Sequence, residues 1–164
     1  MSFLSLYDVI YDSWKIIIWL EKKFTKKKLI NNEQTKIFSH FLYYWTSKHI
    51  LPLIFQIIGP DIPKILSPLD SKYFIESREN NLKQKLSCLR KKKENVKLQL
   101  NKSLLIIEKI LNEKEFLNGN SPGLPDFIFF GNFMWAEKCS TELIVDESSN
   151  IYKWYKRMKL LNNF

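Results

Sequence analysis

The sequence predicts an all-α bundle built around one central, buried helix. Apolar residues recur at offsets of three and four along most of the chain, the spacing of a helix face. Only four of the 164 residues are glycine, and the six prolines gather at a few breaks instead of marking the evenly spaced turns of a β-sandwich. Hydrophobic residues make up 45% of the chain, enough to fill one sizeable core, so a single folded bundle is the expectation.

The opening departs from that pattern. Residues 3–11, FLSLYDVIY, mix aromatic and β-branched side chains over a strand's length and stop at Asp12-Ser13, two good helix N-caps. SWKIIIWLEKKF follows and closes with Lys22 and Lys23, cations suited to the negative end of a helix. The first 28 residues therefore read as strand, tight turn and helix, and residues 29–164 as the helical domain.

Ile37, Phe38, Phe41, Leu42 and Trp45 form the stripe of a long amphipathic helix, which Pro52 kinks or splits by removing a backbone donor. GPDIPKILSPLD forces a turn. From Asp70 a short capped helix is expected, then a long one from about Leu82 to Leu111 with Val96, Leu100, Leu104, Ile107 and Leu111 on one face. After the break at FLNGNSPGLPD, the run Phe127 to Trp135 leaves no clean polar face, which marks the central buried helix. Gly131 weakens that helix, and close approach of a neighbouring element is the expected compensation. A final amphipathic helix carries Ile151, Trp154, Met158 and Leu161 on one side.

Charge and rare residues narrow the function classes. The formal net charge is +9, from 26 Lys+Arg against 17 Asp+Glu, but arginine, the usual reader of phosphates and base edges, occurs only at 78, 90 and 157. Solvated surface lysine is therefore preferred over a nucleic-acid face, and the run Arg90 to Lys93 is read as a charged helix surface. Cys88 and Cys139 stand far apart with no metal-ligand or redox spacing, and His40 and His49 have no partner arrangement for catalysis or metal binding. No apolar run reaches the roughly 18 residues of a membrane span, and the N-terminus lacks a basic, signal-like start. A cytoplasmic protein with no metal and no catalytic residue of its own is the expectation.

Three segments in order resemble the glutathione transferases, most closely their β-etherase-like and UstS-like group. DSWKIIIWLEKKF at 12–24 is similar to the turn and helix that end the family's thioredoxin-like domain. FLNGNSPGLPDFIFFGNFMWA at 116–136 is similar to the segment that enters its buried helix, and NIYKWYKRM at 150–158 to its closing helix. SPLDSKYFIESRE at 67–79 also fits that group. In relatives a Ser/Thr-x-x-Asp capping box starts the buried helix; here Asp126 keeps the acid while Gly123 stands at the cap, so half the box is missing.

The resemblance implies a glutathione-transferase C-terminal helical domain preceded by the last strand and helix of a thioredoxin-like domain. It also implies glutathione as cosubstrate, with Ser13 and its amide at the γ-glutamyl carboxylate and Asp12 near the α-ammonium. A helix start favours anions, which gives that role a physical reason, while an ordinary N-cap is the plain alternative. Tyr43, Tyr44 and Trp45 read first as core, with Tyr44 kept as a candidate for the hydrophobic substrate pocket. The family's thiol-activating group and cis-proline loop belong to the earlier part of the thioredoxin-like domain. The expectation is thus a truncated or domain-only member, inactive alone, that pairs with that domain or with a second copy. The alternative is a non-enzymatic helical interaction module.

Overall fold

The central helix is α7, Leu124–Cys139, and the computed structural model arranges the other long helices around it. Residues 10–24 and 28–162 are described, and the strand expected at 3–11 lies almost wholly outside them. Among the described residues there is no strand, only an isolated bridge between Phe116 and Gly119 in the turn before α7. None of the described helices is long and apolar enough to cross a membrane.

The first helix, α1 (Ser13–Lys23), is tied to the chain after it by Glu21, whose carboxylate accepts from the amides of Leu29 and Ile30 at 3.0 and 3.1 Å. The Leu29 carbonyl then accepts the amide of Leu124, one of the unpaired donors at the start of α7. At the far end of α7, Ser140 donates to Asp61 at 2.7 Å, just beyond the helix that follows α2 (Glu33–Trp45). These two ties place α7 parallel to α2 and its continuation.

That continuation is where proline acts. The chain does not stop after Trp45 but widens into a π-helical turn, Thr46–Ile50, before resuming as α3 (Leu51–Ile58). The amide of Leu51 reaches back five residues to the Thr46 carbonyl, and the next residue, Pro52, has no amide to give. The hydroxyls of Thr46 and Ser47 both donate to the Tyr43 carbonyl, so the disturbed ladder keeps its acceptors satisfied.

Beyond a 3₁₀ turn at Ile62–Lys64, α4 (Pro68–Leu82) starts at the Ser67 cap, three residues earlier than expected. The single long helix expected from Leu82 is broken. Lys83 takes a left-handed conformation with φ 54° and ends α4, and a short α5 (Leu86–Leu89) and a 3₁₀ turn at Arg90–Lys92 precede α6 (Lys93–Glu113). In α6 all five stripe residues from Val96 to Leu111 are buried, as expected. The last helix, α8 (Asn150–Asn162), buries Ile151, Trp154, Tyr155 and Met158, but Leu161 is half exposed. In α2 the inward positions are Thr35, Ser39 and Leu42, while Ile37 and Phe41 are 63% and 61% exposed. The apolar set read as one stripe is divided between two sides.

Asp126 organises the centre. Its buried carboxylate accepts the Gly123 amide at 3.0 Å, the surviving half of the capping box, together with the amides of Leu117 (2.7 Å) and Asn118 (3.1 Å) and the Trp154 indole N–H (2.9 Å). Burial pushes this carboxyl upward against the pull of those four donors. Gly123 is required by its neighbour: a Cβ there would stand 2.5 Å from the side-chain amide carbon of Asn118. Gly131 is different. It is exposed and a Cβ would meet nothing within 4 Å, so the expected close approach is absent. Gly131→Ala should therefore raise the unfolding free energy by about 0.5–1 kcal/mol, because only the entropic penalty of glycine is removed. Urea denaturation will measure this, and a loss of stability would contradict the open geometry.

Candidate functional site

Asp12 and Ser13 sit at the start of α1, both exposed. The Asp12 carboxylate accepts the Lys15 amide at 2.9 Å and its carbonyl accepts the Ile16 amide, so it makes the bonds of an N-cap. Ser13 opens the helix, and the next residue, Trp14, stacks on His40 of α2 with centroids 4.3 Å apart and planes 19° from parallel. Tyr44 lies 4.9 Å from His40, and Tyr43 meets both Trp14 and Tyr44. The ring series Trp14, His40, Tyr44 thus connects the α1 start with the middle of α2.

Tyr44 itself is 52% exposed and belongs neither to the core nor to an enclosed cavity; it borders a shallow depression along α2 with Ile37 and Phe41. His40 joins the aromatic cluster, and His49 is exposed on the helix surface. No group of three or more potential metal ligands gathers among the described residues.

A better-formed concavity lies elsewhere. Between α3, α4 and the C-terminal end of α7 runs an open groove of about 570 Å³, within the usual size of small-molecule sites. Its floor is aromatic: the rings of Phe55 and Trp135 lie 6.5 Å apart and nearly parallel, and Phe74 meets Phe55 at 6.4 Å. Arg78, one turn along α4, sits over the Phe74 ring at 5.4 Å. Cys139 also lines the groove, and burial pushes its thiol up, which keeps it protonated and poorly nucleophilic.

Charge fastens the chain next to the groove residues Ile62 and Cys139. Burial pushes the Asp61 carboxyl upward, but bonds from Lys64, Ser140 and Arg90 outweigh that effect and hold it well below the usual carboxylate range. Lys93 and Lys97 likewise converge on Glu142 at 2.5 and 3.0 Å. Much of the basic run at 90–93 is therefore spent on joining α6 to the chain on either side. At a separate concavity, Tyr155 donates a short hydrogen bond to Glu137, which Lys159 also contacts at 2.6 Å. Burial, then Glu137, pushes that phenol well above its ordinary value, so its proton is held firmly.

Sequence reasoning missed this groove. Its residues come from three separated segments, and the only local signal was Phe74 and Arg78 at an i, i+4 spacing on α4.

The comparisons with known proteins bear on the same bundle. Residues 38–156 match the family model described as glutathione S-transferase, C-terminal domain. The chain belongs to the glutathione S-transferase family. Among solved structures it is similar to glutathione transferase GSTFuA3 from Phanerochaete chrysosporium, with a TM-score of 0.66 and 24% identity. The likeness covers 88% of this chain and 56% of that one, and at this identity it speaks for the fold alone. No curated protein matches the sequence at a significant level.

Within this glutathione S-transferase bundle, α1 rests on its N-cap, the ring stack and the Glu21 tie, since none of its residues is buried. Asp12→Ala should weaken the first turn of α1 by about 1 kcal/mol. Amide exchange will register faster exchange at Lys15 and its neighbours with α7 unchanged; equal protection in the variant would show that the cap contributes nothing.

Proposed function

We propose that the chain supplies the hydrophobic-substrate lobe of a glutathione-transferase-like protein, and that activation of the glutathione thiol belongs to a thioredoxin-like partner lobe. The observation that carries this reading is a bundle of this family with the exposed, Asp12-capped start of α1 set against α2; the groove floored by Phe55, Phe74 and Trp135, roughly 20 Å further along the α2–α3 rod than the His40 stack, is proposed as a separate apolar ligand site. Flat, apolar ligands suit such a floor, because ring-on-ring contact and burial both favour them. Asp12 and Ser13 are proposed to meet the γ-glutamyl end of glutathione, which the positive pole and unpaired amides of the α1 start would favour. Residues 1–28 are on this reading the last strand and helix of the thioredoxin-like lobe, and 29–164 the C-terminal lobe. Two free cysteines suit a reducing cytoplasm.

The 164-residue chain on its own is proposed to be inactive. With glutathione and a generic aromatic electrophile it should run at the uncatalysed rate, while a neutral probe such as 2-naphthalenemethanol still binds in the groove. Trp135→Leu should weaken that probe severalfold by removing part of the floor. Turnover above background would overturn the division of labour, and absence of probe binding up to its solubility limit would overturn the groove.

A second reading, a helical interaction module, is favoured by the large apolar side chains that α1 and α2 leave exposed. Phe24, Ile37, Phe41 and Tyr44 are each more than half accessible. A second copy or the thioredoxin-like lobe is the proposed cover. Sedimentation should therefore detect dimers at micromolar concentration, shifted toward monomer by Phe41→Glu; a strict monomer at high concentration would remove the second copy from consideration.

A further inference from the structure

The proposed groove has a polar end that a purely hydrophobic ligand would leave unused. The chain has three arginines, and two are committed to the protein itself. Arg90 pairs with Asp61 at 2.8 Å and donates to the Pro60 carbonyl, while Arg157 donates to the Glu115 carbonyl at 2.7 Å and lies over Phe116. Among the described residues Arg78 forms no ion pair, and its guanidinium lies over the Phe74 ring. An arginine laid on an aromatic face keeps its planar fork oriented and its N–H groups available at the edge. Arg78 is exposed and lines the groove, so those donors stand at the mouth of an aromatic floor.

Resting on the groove reading above, we infer that the ligand class of the groove is an aromatic carboxylate. Its ring would lie against Phe55 and Trp135 and its carboxylate would accept a forked pair of hydrogen bonds from Arg78. The order of the rings supports this. Trp135, Phe55, Phe74 and Arg78 form one continuous series with steps of 6.5, 6.4 and 5.4 Å, so the apolar end and the cation belong to one surface. A neutral ring system of the same size fills the floor but gains nothing at the rim. A solvent-accessible ion pair of this kind contributes modestly, so the expected discrimination is a few-fold, not a thousand-fold.

The test compares 2-naphthoate with its neutral counterpart 2-naphthalenemethanol by calorimetric titration of the full chain. The carboxylate should bind about fivefold more tightly at low ionic strength, and the advantage should shrink in 0.5 M salt. Arg78→Gln should abolish the advantage and leave the affinity for the alcohol unchanged, while Arg78→Lys retains part of it. In a Cys88→Ser background, both probes should slow alkylation of Cys139, which lines the same groove. Equal binding of the two probes, or a preference that survives Arg78→Gln, overturns the carboxylate assignment while leaving the apolar groove in place. Failure of both probes to bind or to protect Cys139 removes the groove and the assignment together.

Discussion

The structure depends on a single buried carboxylate. Asp126 gathers four N–H groups from the turn at 117–118, from the cap residue of its own helix and from α8. Each donor would cost roughly 1–3 kcal/mol if stranded without an acceptor, so the side chain fixes the entry of α7 and the seat of Trp154 together. The aromatic packing follows from this placement, since Trp154 then meets Phe129, Phe130 and Phe133 within 5.3–6.4 Å. An acid could be buried in the first turn of so apolar a helix only because donors from the turn, the cap and α8 surround it.

From that anchor the bundle is tied outward by groups at helix ends. Leu29 takes the first amide of α7, and Ser140, just after its last residue, reaches Asp61. Asp61 in turn holds Arg90, and Glu142 holds Lys93 and Lys97, so the N-terminal end of α6 is fastened to the turn after α3 and to the chain after α7. The π-helical turn before Pro52 keeps α2 and α3 as one continuous rod with a local widening. Phe55 consequently projects from a wall that is braced at both ends, which suits a ligand-binding floor better than a free loop would.

Much of this was legible in the residues, for identifiable reasons. The stripe from Val96 to Leu111 has a strict helical period and one polar face, so its burial followed from spacing alone. The dense apolar run at 127–135 left only a central position open to α7. Spacing was silent where conformation is decided by a single residue: Lys83 itself, not glycine or asparagine, takes the left-handed state that ends α4. It also failed where a helix is apolar on two sides, since Ile37 and Phe41 fit the same period as Leu42 yet face outward. Asp126 was read as half of a local box, and its long-range partner Trp154 lies 28 residues away. The groove was hidden for the same reason: Phe55, Phe74 and Trp135 share a surface only after three helices have packed.

The fit between Gly123 and Asn118 bears on how this lineage can change. Restoring a hydroxyl cap at 123 in one step would drive a side chain into the amide group that now fills the space. That amide also accepts from Thr35 and donates to the Ser121 carbonyl, so moving it disturbs α2 as well. Position 118 must give way for any side chain at 123, so the residues that can stand at the cap are set by a neighbour five positions upstream as much as by the helix itself.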